Sequence, residues 1–151
     1  MQVKEVMSEP AITVNESASL AEIADLMLKE GIGCVPVVNN QGLISGIITE
    51  SDFAAKEKGV PFSTFRAPQI FGKWMGNSGV EQMYQAAREM KAEEIMKSKV
   101  VTLTENDPLE KAIELLLKHN VNRLPVVREG KPVGIVSRHD LLRLMLQKKA
   151  G

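Results

Sequence analysis

The chain contains one pattern twice, and this duplication constrains its fold more than any other feature. Met7 to Asp52 is repeated, with changes, as Met96 to Asp140. The offset is 89 positions as far as Pro36-Val37-Val38 and Pro125-Val126-Val127, and it becomes 88 after the turn at 39–42, where the first copy has one extra residue. Surface turns tolerate such insertions. The duplication predicts two similar halves with a pseudo-two-fold cleft between them.

Length and charge narrow the class of protein. The 151 residues suffice for one core built from two small halves, but not for two independent domains of ordinary size. Nineteen basic and nineteen acidic residues give a formal net charge of zero, which argues against nucleic-acid binding. There is no secretory signal and no apolar stretch near the roughly 18 residues that cross a bilayer. We expect a soluble, cytoplasmic protein without direct membrane insertion.

Each copy has the pattern of a strand, a helix, two strands and a second helix, which predicts a mixed α/β (α+β) fold. In the first copy the strands fall at 12–14, 35–38 and 43–48, and a second helix opens after Thr49. The apolar face of the first helix comprises Leu20, Ile23, Ala24, Met27 and Leu28. Gly31 and Gly33 end that helix.

The second copy repeats this order, with strands at 100–103, 124–127 and 132–136. Asp107 as a cap, Pro108 at the first helical position and Glu110 at the third predict a helix start. The apolar residues expected to face inward from the two helices of this copy are Ile113, Leu116, Leu117, Leu141, Leu144 and Met145. Since neither half buries enough surface alone, we expect the halves to pack sheet against sheet.

Residues 56–92 form an insert between repeat 1 (residues 1–55) and repeat 2 (residues 93–151). The insert holds five of the six aromatic residues: Phe62, Phe65, Phe71, Trp74 and Tyr84. We predict a helix from Val80 to Met90 with Met83, Ala86, Ala87 and Met90 facing inward, after an irregular apolar stretch around Pro61 and Pro68. The insert either packs on its own module, completes a dimer interface, or docks another protein.

Both copies end their strands with the same motif, in which Gly, two apolar residues, a hydroxyl residue, two variable residues and Asp follow one another. The motifs are Gly46 to Asp52 and Gly134 to Asp140. The spacing of the hydroxyl residue and the acid fits a capping box. It also fits a turn whose free amides face a phosphate while the carboxylate accepts hydrogen bonds from a ribose diol. The doubling of the motif favours the ligand-binding interpretation.

With these motifs, the chain resembles a tandem pair of cystathionine-β-synthase (CBS) domains, a Bateman module. The resemblance also rests on the Val-Pro-Val-Val and Leu-Pro-Val-Val strands and on the opening Val-Met-Ser and Ile-Met-Lys segments. The resemblance covers nearly all of residues 1–55 and 92–147. It implies two pseudo-symmetric repeats that bind an adenosine nucleotide or related adenosyl compound in their cleft and regulate a partner.

The resemblance also implies the binding residues. Asp52 and Asp140 would hold ribose hydroxyls, and Thr49 and Ser137 would donate to ribose or phosphate. The remaining residues expected at the sites are Thr13 and Thr102 from the first strands, Arg123 facing the phosphates, and Arg138 and His139 beside the second motif. The counterpart of Arg123 is Cys34, so we expect two unequal sites, of which one fills at moderate ligand concentration. For Arg138 and His139, simple solvent exposure is the alternative.

Other chemistries find little support. Phe71-Gly72-Lys73-Trp74 lacks the earlier Gly and the final Ser or Thr of a P-loop. His119 and His139 have no second ligand at metal spacing, so we expect no metal site and no required cofactor. His119 is expected to end its helix. Cys34 lies in an apolar run, where a buried thiol is expected. We do not expect an enzyme.

The sequence therefore predicts a regulatory module that binds AMP or ATP, with ADP, NADH and S-adenosylmethionine also open. A homodimer is expected because apolar helical faces around Leu141, Leu144 and Met145 remain after the sheets pair. Any regulated enzyme or transporter would be contacted in trans. The alternative is a structural or protein-interaction module that acts through the aromatic insert without a nucleotide.

Overall fold

The structure is a computed structural model that describes residues 1–53, 55–56, 60–61 and 77–147. In the first half, β1 (Val14–Asn15) runs parallel to β2 (Cys34–Val38), which pairs antiparallel with β3 (Ile44–Thr49). A short antiparallel pair follows, formed by β4 (Ala55–Lys56) and β5 (Val60–Pro61). In the second half, β6 (Leu103–Thr104), β7 (Arg123–Arg128) and β8 (Lys131–Ser137) repeat the first sheet in order and direction. The predicted pair of pseudo-symmetric α+β repeats is confirmed.

Five α-helices accompany these sheets in the described part of the chain. They are α1 (Leu20–Glu30), α2 (Asn77–Ala87), α3 (Ala92–Ile95), α4 (Leu109–Lys118) and α5 (Arg138–Leu144). Ser19 and Glu22 form a capping box at the start of α1, and Gly31 ends it with a φ of 63°, a conformation that favours glycine. His119 is the C-terminal cap of α4, as predicted.

The buried helix faces are narrower than the sequence pattern predicted. Leu20, Ile23 and Met27 of α1 are buried, but Leu28 is 84% exposed. In α4 the buried residues are Leu109, Ala112 and Leu116, whereas Ile113 is 37% and Leu117 66% exposed. Each helix packs on one small sheet, which covers only part of its apolar stripe. Leu28 and Leu117 are equivalent positions in the two repeats, so the same apolar face of the helix is left uncovered in each.

One predicted helix start was wrong, and the helix predicted after Thr49 begins there but is only a short one. Asp107 does not cap α4, because its carboxylate closes the preceding turn by accepting the Thr104 N–H at 2.8 Å; Pro108 takes the cap position instead. After Thr49 the chain forms a short 3₁₀ helix (Glu50–Phe53).

Two predicted inward-facing residues are also exposed, each near the end of its helix. Ala86 of α2 faces outward, while Met83 and Ala87 are buried. Met145 is 83% exposed because α5 ends at Leu144, before the chain can return that side chain to the core.

The helix predicted from Val80 to Met90 corresponds to α2, which begins and ends earlier. Tyr84 of this helix packs against the first core and donates a hydrogen bond to the Phe53 carbonyl. The other aromatic residues of the insert, Phe62, Phe65, Phe71 and Trp74, and the predicted stretch around Pro68, lie outside the described residues.

The two halves exchange their leading segments. Val3, Val6 and Met7 pack in the core of the second half, beside buried residues of β6 to β8 and α4. In return, Ala92 and Ile95 of α3, with Met96, pack in the core of the first half. Backbone bridges fix both arrangements: Ser8 pairs with Ile135 of β8, and Lys97 pairs with Ile47 of β3. Each half is therefore completed by residues that directly precede the other.

The glycines of the two motifs make room for these exchanged segments. A Cβ atom on Gly46 would lie 2.4 Å from Sδ of Met96, and one on Gly134 would lie 2.8 Å from Sδ of Met7. Met7 and Met96 are equivalent in the repeat, so one contact is made twice. The motif glycines thus have a packing role that follows from the close approach of a second backbone segment.

Candidate functional site

Two pockets lie in the cleft between the halves. The first pocket has a volume of about 480 Å³, and the second has a volume of about 410 Å³. The first is lined by Thr49, Glu50 and Ser51 of the first motif, by Lys97 and Lys99, and by residues 119–125 of the second half. One motif therefore faces a wall supplied by the opposite repeat.

The second pocket is built by the same rule with the repeats exchanged. Ser137, His139 and Asp140 of the second motif line it, together with residues 31–34 of the first half. Ser8, Pro10, Ile12 and Arg143 complete much of the remaining wall. Ser8 and Pro10 of this pocket are the counterparts of Lys97 and Lys99. A serine and a proline therefore occupy the positions that two lysines occupy in the first pocket.

Asp140 is buried at the wall of the second pocket, and its two oxygens have different surroundings. Oδ2 accepts the Ser137 N–H at 2.8 Å and the Ser137 hydroxyl at 3.0 Å, which makes the capping box at the start of α5. Oδ1 accepts a longer hydrogen bond from the Ser8 hydroxyl at 3.3 Å and lies 3.2 Å from Nη1 of Arg143, a largely exposed side chain. The cap and a contact with a ligand hydroxyl are therefore compatible, because each uses its own oxygen.

Asp52 makes the equivalent hydrogen bond to the backbone three residues earlier but has a different outer partner. Oδ2 accepts the Thr49 N–H at 2.8 Å, while Oδ1 lies 3.0 Å from the ammonium of Lys97. Asp52 is not among the residues that line the first pocket, whereas Lys97 is. The first pocket therefore presents an ammonium where the second presents a carboxylate.

Arg123 borders both pockets. Its backbone starts β7, where it pairs with Ser137, and its guanidinium reaches Gly33 of the first half. Its counterpart Cys34 pairs in the same way with Thr49 and is buried, as predicted. Burial raises the pKa of the Cys34 thiol to about 11, so this group is neutral at physiological pH.

The other predicted site residues fall into two groups. Thr49 lines the first pocket, and Ser137, His139 and Asp140 line the second. Thr13 and Thr102 do not line either pocket; the residues before them, Ile12 and Val101, do. Arg138 does not line a pocket, because its side chain is drawn along the second half, where it donates to the carbonyls of Val121 at 3.0 Å and Leu116 at 3.2 Å. Arg138 therefore neither lines a pocket nor is simply exposed to solvent. Its hydrogen bonds connect the end of α4 to the start of α5.

The two pockets differ in their basic residues, but not in the way expected from the sequence. The basic residues are not gathered in one pocket, since Lys97 and Lys99 line the first and Arg143 lines the second. Sequence reasoning missed these three residues and Ser8. The available signal was the alignment of Val-Met-Ser with Ile-Met-Lys, which pairs Ser8 with Lys97 immediately after the equivalent methionines.

Comparison with known proteins identifies the family. The sequence model of the CBS domain matches residues 3–59 and 92–147, one match for each repeat. This chain belongs to the CBS domain family. The CBS domain of a CBS domain-containing membrane protein from Sphaerobacter thermophilus is 36% identical, with a TM-score of 0.73 over 95% of this chain and 87% of that one.

Two further relatives bear on function. The CBS domain pair of protein MJ0100, solved in complex with 5′-methylthioadenosine and S-adenosyl-L-methionine, is 28% identical, with a TM-score of 0.71 over 99% of this chain and 98% of that one. L-aspartate semialdehyde sulfurtransferase of Methanocaldococcus jannaschii is 29% identical over 148 residues. That match takes in 97% of this chain and 24% of the enzyme, so this CBS pair spans about a quarter of that relative.

The described residues offer neither a metal site nor a membrane-spanning helix. Within them, no group of three His, Cys, Asp or Glu side chains is placed to hold a metal ion. The helices described there also lack the length and apolar composition needed to cross a membrane.

Proposed function

We propose that this CBS pair is a regulatory module, not a catalytic one, and that it binds an adenosine nucleotide, AMP or ATP, in the cleft between its repeats. The observation that carries the proposal is the Asp140 carboxylate, which lines the second pocket. Its Oδ2 caps α5, while its Oδ1 contacts Ser8 and Arg143, two other residues of that pocket. A carboxylate oxygen in this position can accept hydrogen bonds from the vicinal hydroxyls of a ribose. The related MJ0100 pair, with its two adenosine-containing ligands, supports an adenosine core.

The walls of the second pocket suit the rest of such a ligand. Ile12, Ile32 and Ile135 offer apolar surface for a purine ring. Arg123, Arg143 and His139 lie around the same space, with Asp140 as the acidic lining residue. An arginine guanidinium binds phosphate oxygens through charge-assisted hydrogen bonds. This surplus of basic side chains favours AMP, ADP, ATP or NADH over S-adenosylmethionine, whose sulfonium is cationic.

The second pocket would fill first. In the first pocket a ribose would have to displace the Lys97 ammonium before it reached Asp52, because the two groups are paired at 3.0 Å. In the second pocket the ligand replaces a longer bond to Ser8 and an exposed arginine. We thus retain the prediction of one occupied site at moderate concentration and assign it to the second pocket.

Occupancy would act on a partner by shifting a conformational equilibrium, and only to the extent that the ligand prefers one state. A homodimer is part of the proposal. Leu28 and Leu117 leave equivalent apolar faces on α1 and α4, and Leu142, Met145 and Leu146 are also largely exposed. Such surfaces commonly mark interfaces. A regulated enzyme or transporter would be bound in trans.

Isothermal titration calorimetry with AMP, ADP, ATP, NADH and S-adenosylmethionine tests the binding proposal. Asp140→Asn keeps an oxygen for the cap and removes the charged acceptor; we expect it to lose the tighter site. Asp52→Asn should retain that site. Asp107→Asn is the matched control, since Asp107 closes a turn with the same 2.8 Å bond to an N–H three residues earlier but lines neither pocket. If the folded wild type binds none of the five compounds, the proposal is wrong and a protein-interaction role through the insert gains support.

A further inference from the structure

Arg123 is placed to serve two pockets at once. Arg123 lines the first pocket together with its neighbours Asn122 and Leu124. Its guanidinium reaches across the cleft, where two of its nitrogens and its central carbon lie 2.9 to 3.1 Å from the position that a Cβ of Gly33 would occupy. Gly33 lines the second pocket. One flexible side chain therefore spans the boundary between the pockets.

Within the described part of the chain, no hydrogen bond or ion pair involves the guanidinium of Arg123. The other cations next to the motifs differ in this respect. Lys97 is paired with Asp52, and Arg143 is paired with Asp140. A half-buried arginine without an acceptor is available to an incoming anion at little cost, because no protein bond must first be broken.

The repeat supplies no second copy of this group. The position equivalent to Arg123 is Cys34, whose thiol is buried and uncharged, so pseudo-symmetry is broken where it would have provided one arginine for each pocket. Two phosphates, one in each pocket, would compete for the same five N–H donors, which form one planar fork.

We propose that Arg123 couples the two pockets, so that a phosphorylated adenosine ligand in one pocket weakens the binding of a second in the other. The inference rests on the proposed function, because it requires adenosine nucleotides in both pockets. A phosphate bound in one pocket draws the guanidinium toward it and leaves the other pocket without its shared donor. By linkage the weakening is the same in both directions.

The decisive experiment measures AMP binding in variants that keep one pocket each. Asp140→Asn leaves the first pocket, and Asp52→Asn leaves the second. We expect Arg123→Ala to weaken AMP about tenfold or more in each of these backgrounds, since hydrogen bonds to charged groups are the strong class. In the chain with both pockets, Arg123→Ala should weaken only the first AMP bound and should abolish the coupling. Arg128→Ala, which removes an arginine of the same strand that pairs with Glu105, is the control.

Adenosine and Gly33→Ala complete the test. Adenosine lacks the phosphate, so its affinity should be the same with and without Arg123. The backbone of Gly33 is not in the left-handed region, and alanine there keeps the arginine but displaces its guanidinium, which should weaken AMP in the second pocket alone. An Arg123→Ala effect in only one single-pocket variant, or in neither, would overturn the coupling and leave the proposed function intact. A folded wild type that binds neither AMP nor adenosine would overturn both.

Discussion

Gly46→Ala tests the exchange of leading segments most directly. The added methyl would lie 2.4 Å from Sδ, 2.7 Å from Cγ and 3.0 Å from Cβ of Met96. The sulfur can swing away, but the contact with Cβ requires the Met96 backbone to move, and that backbone is fixed by the bridge between Lys97 and Ile47. Overpacking of this kind costs about 1–3 kcal/mol. At an m-value of about 2 kcal/mol/M, the urea midpoint should fall by about 0.5–1.5 M.

The assay is urea unfolding followed by far-UV circular dichroism, carried out as a double-mutant cycle. Met96→Ala alone removes a partly buried side chain and should cost about 2 kcal/mol, the low end for such truncations. In Gly46→Ala with Met96→Ala the clash is gone, so the combined loss should be smaller than the sum by about 1 kcal/mol. Strict additivity, or an unchanged midpoint for Gly46→Ala, would refute the inferred contact between the strand and the exchanged segment.

Arg138→Ala should destabilise the fold by about 1–3 kcal/mol, because it leaves two backbone carbonyls without their charged donor, while AMP affinity in calorimetry stays unchanged. Burial raises the pKa of the Cys34 thiol from 9.0 to about 11. The free energy of unfolding that the neutral thiol contributes should therefore be fully present below pH 9 and lost as the pH rises to 11. In urea unfolding at a series of pH values, Cys34→Ala should show a smaller decline in stability over this range. Leu117→Gln should shift sedimentation equilibrium toward the monomer, whereas Glu114→Gln on the same helix should not; equal behaviour would count against the dimer surface.

The sequence was sufficient to predict the repeated architecture because its signals are local. The strands around Pro36 and Pro125 are β-branched runs, and their doubled order admits few folds. The buried faces of α1 and α4 were less predictable, since periodicity shows that Leu28 and Leu117 are apolar but not whether the molecule's own sheets are wide enough to cover them. Asp107 illustrates a further limit. Its carboxylate could close a turn or cap a helix, and only the backbone geometry decides between the two.

The candidate site was predictable at its motifs and less so at its walls. Ser137 and Asp140 could be found because a repeated pattern marks them. Lys97 and Ser8 could not be placed, because each segment lies against the half that it does not precede directly, and no local signal records that choice. The fate of Arg138 depended on the carbonyls at the end of α4, which sequence reasoning had no means of placing beside it.

The exchange of leading segments determines how the molecule unfolds. Residues 1–7 must leave the second core before that half can open, and residues 92–96 must leave the first. Because each segment is covalently continuous with an element of the opposite half, neither repeat can unfold and leave its neighbour complete. Amide hydrogens in the two sheets should then exchange through one shared global opening instead of two separate ones. The duplicated chain thus behaves as a single cooperative unit.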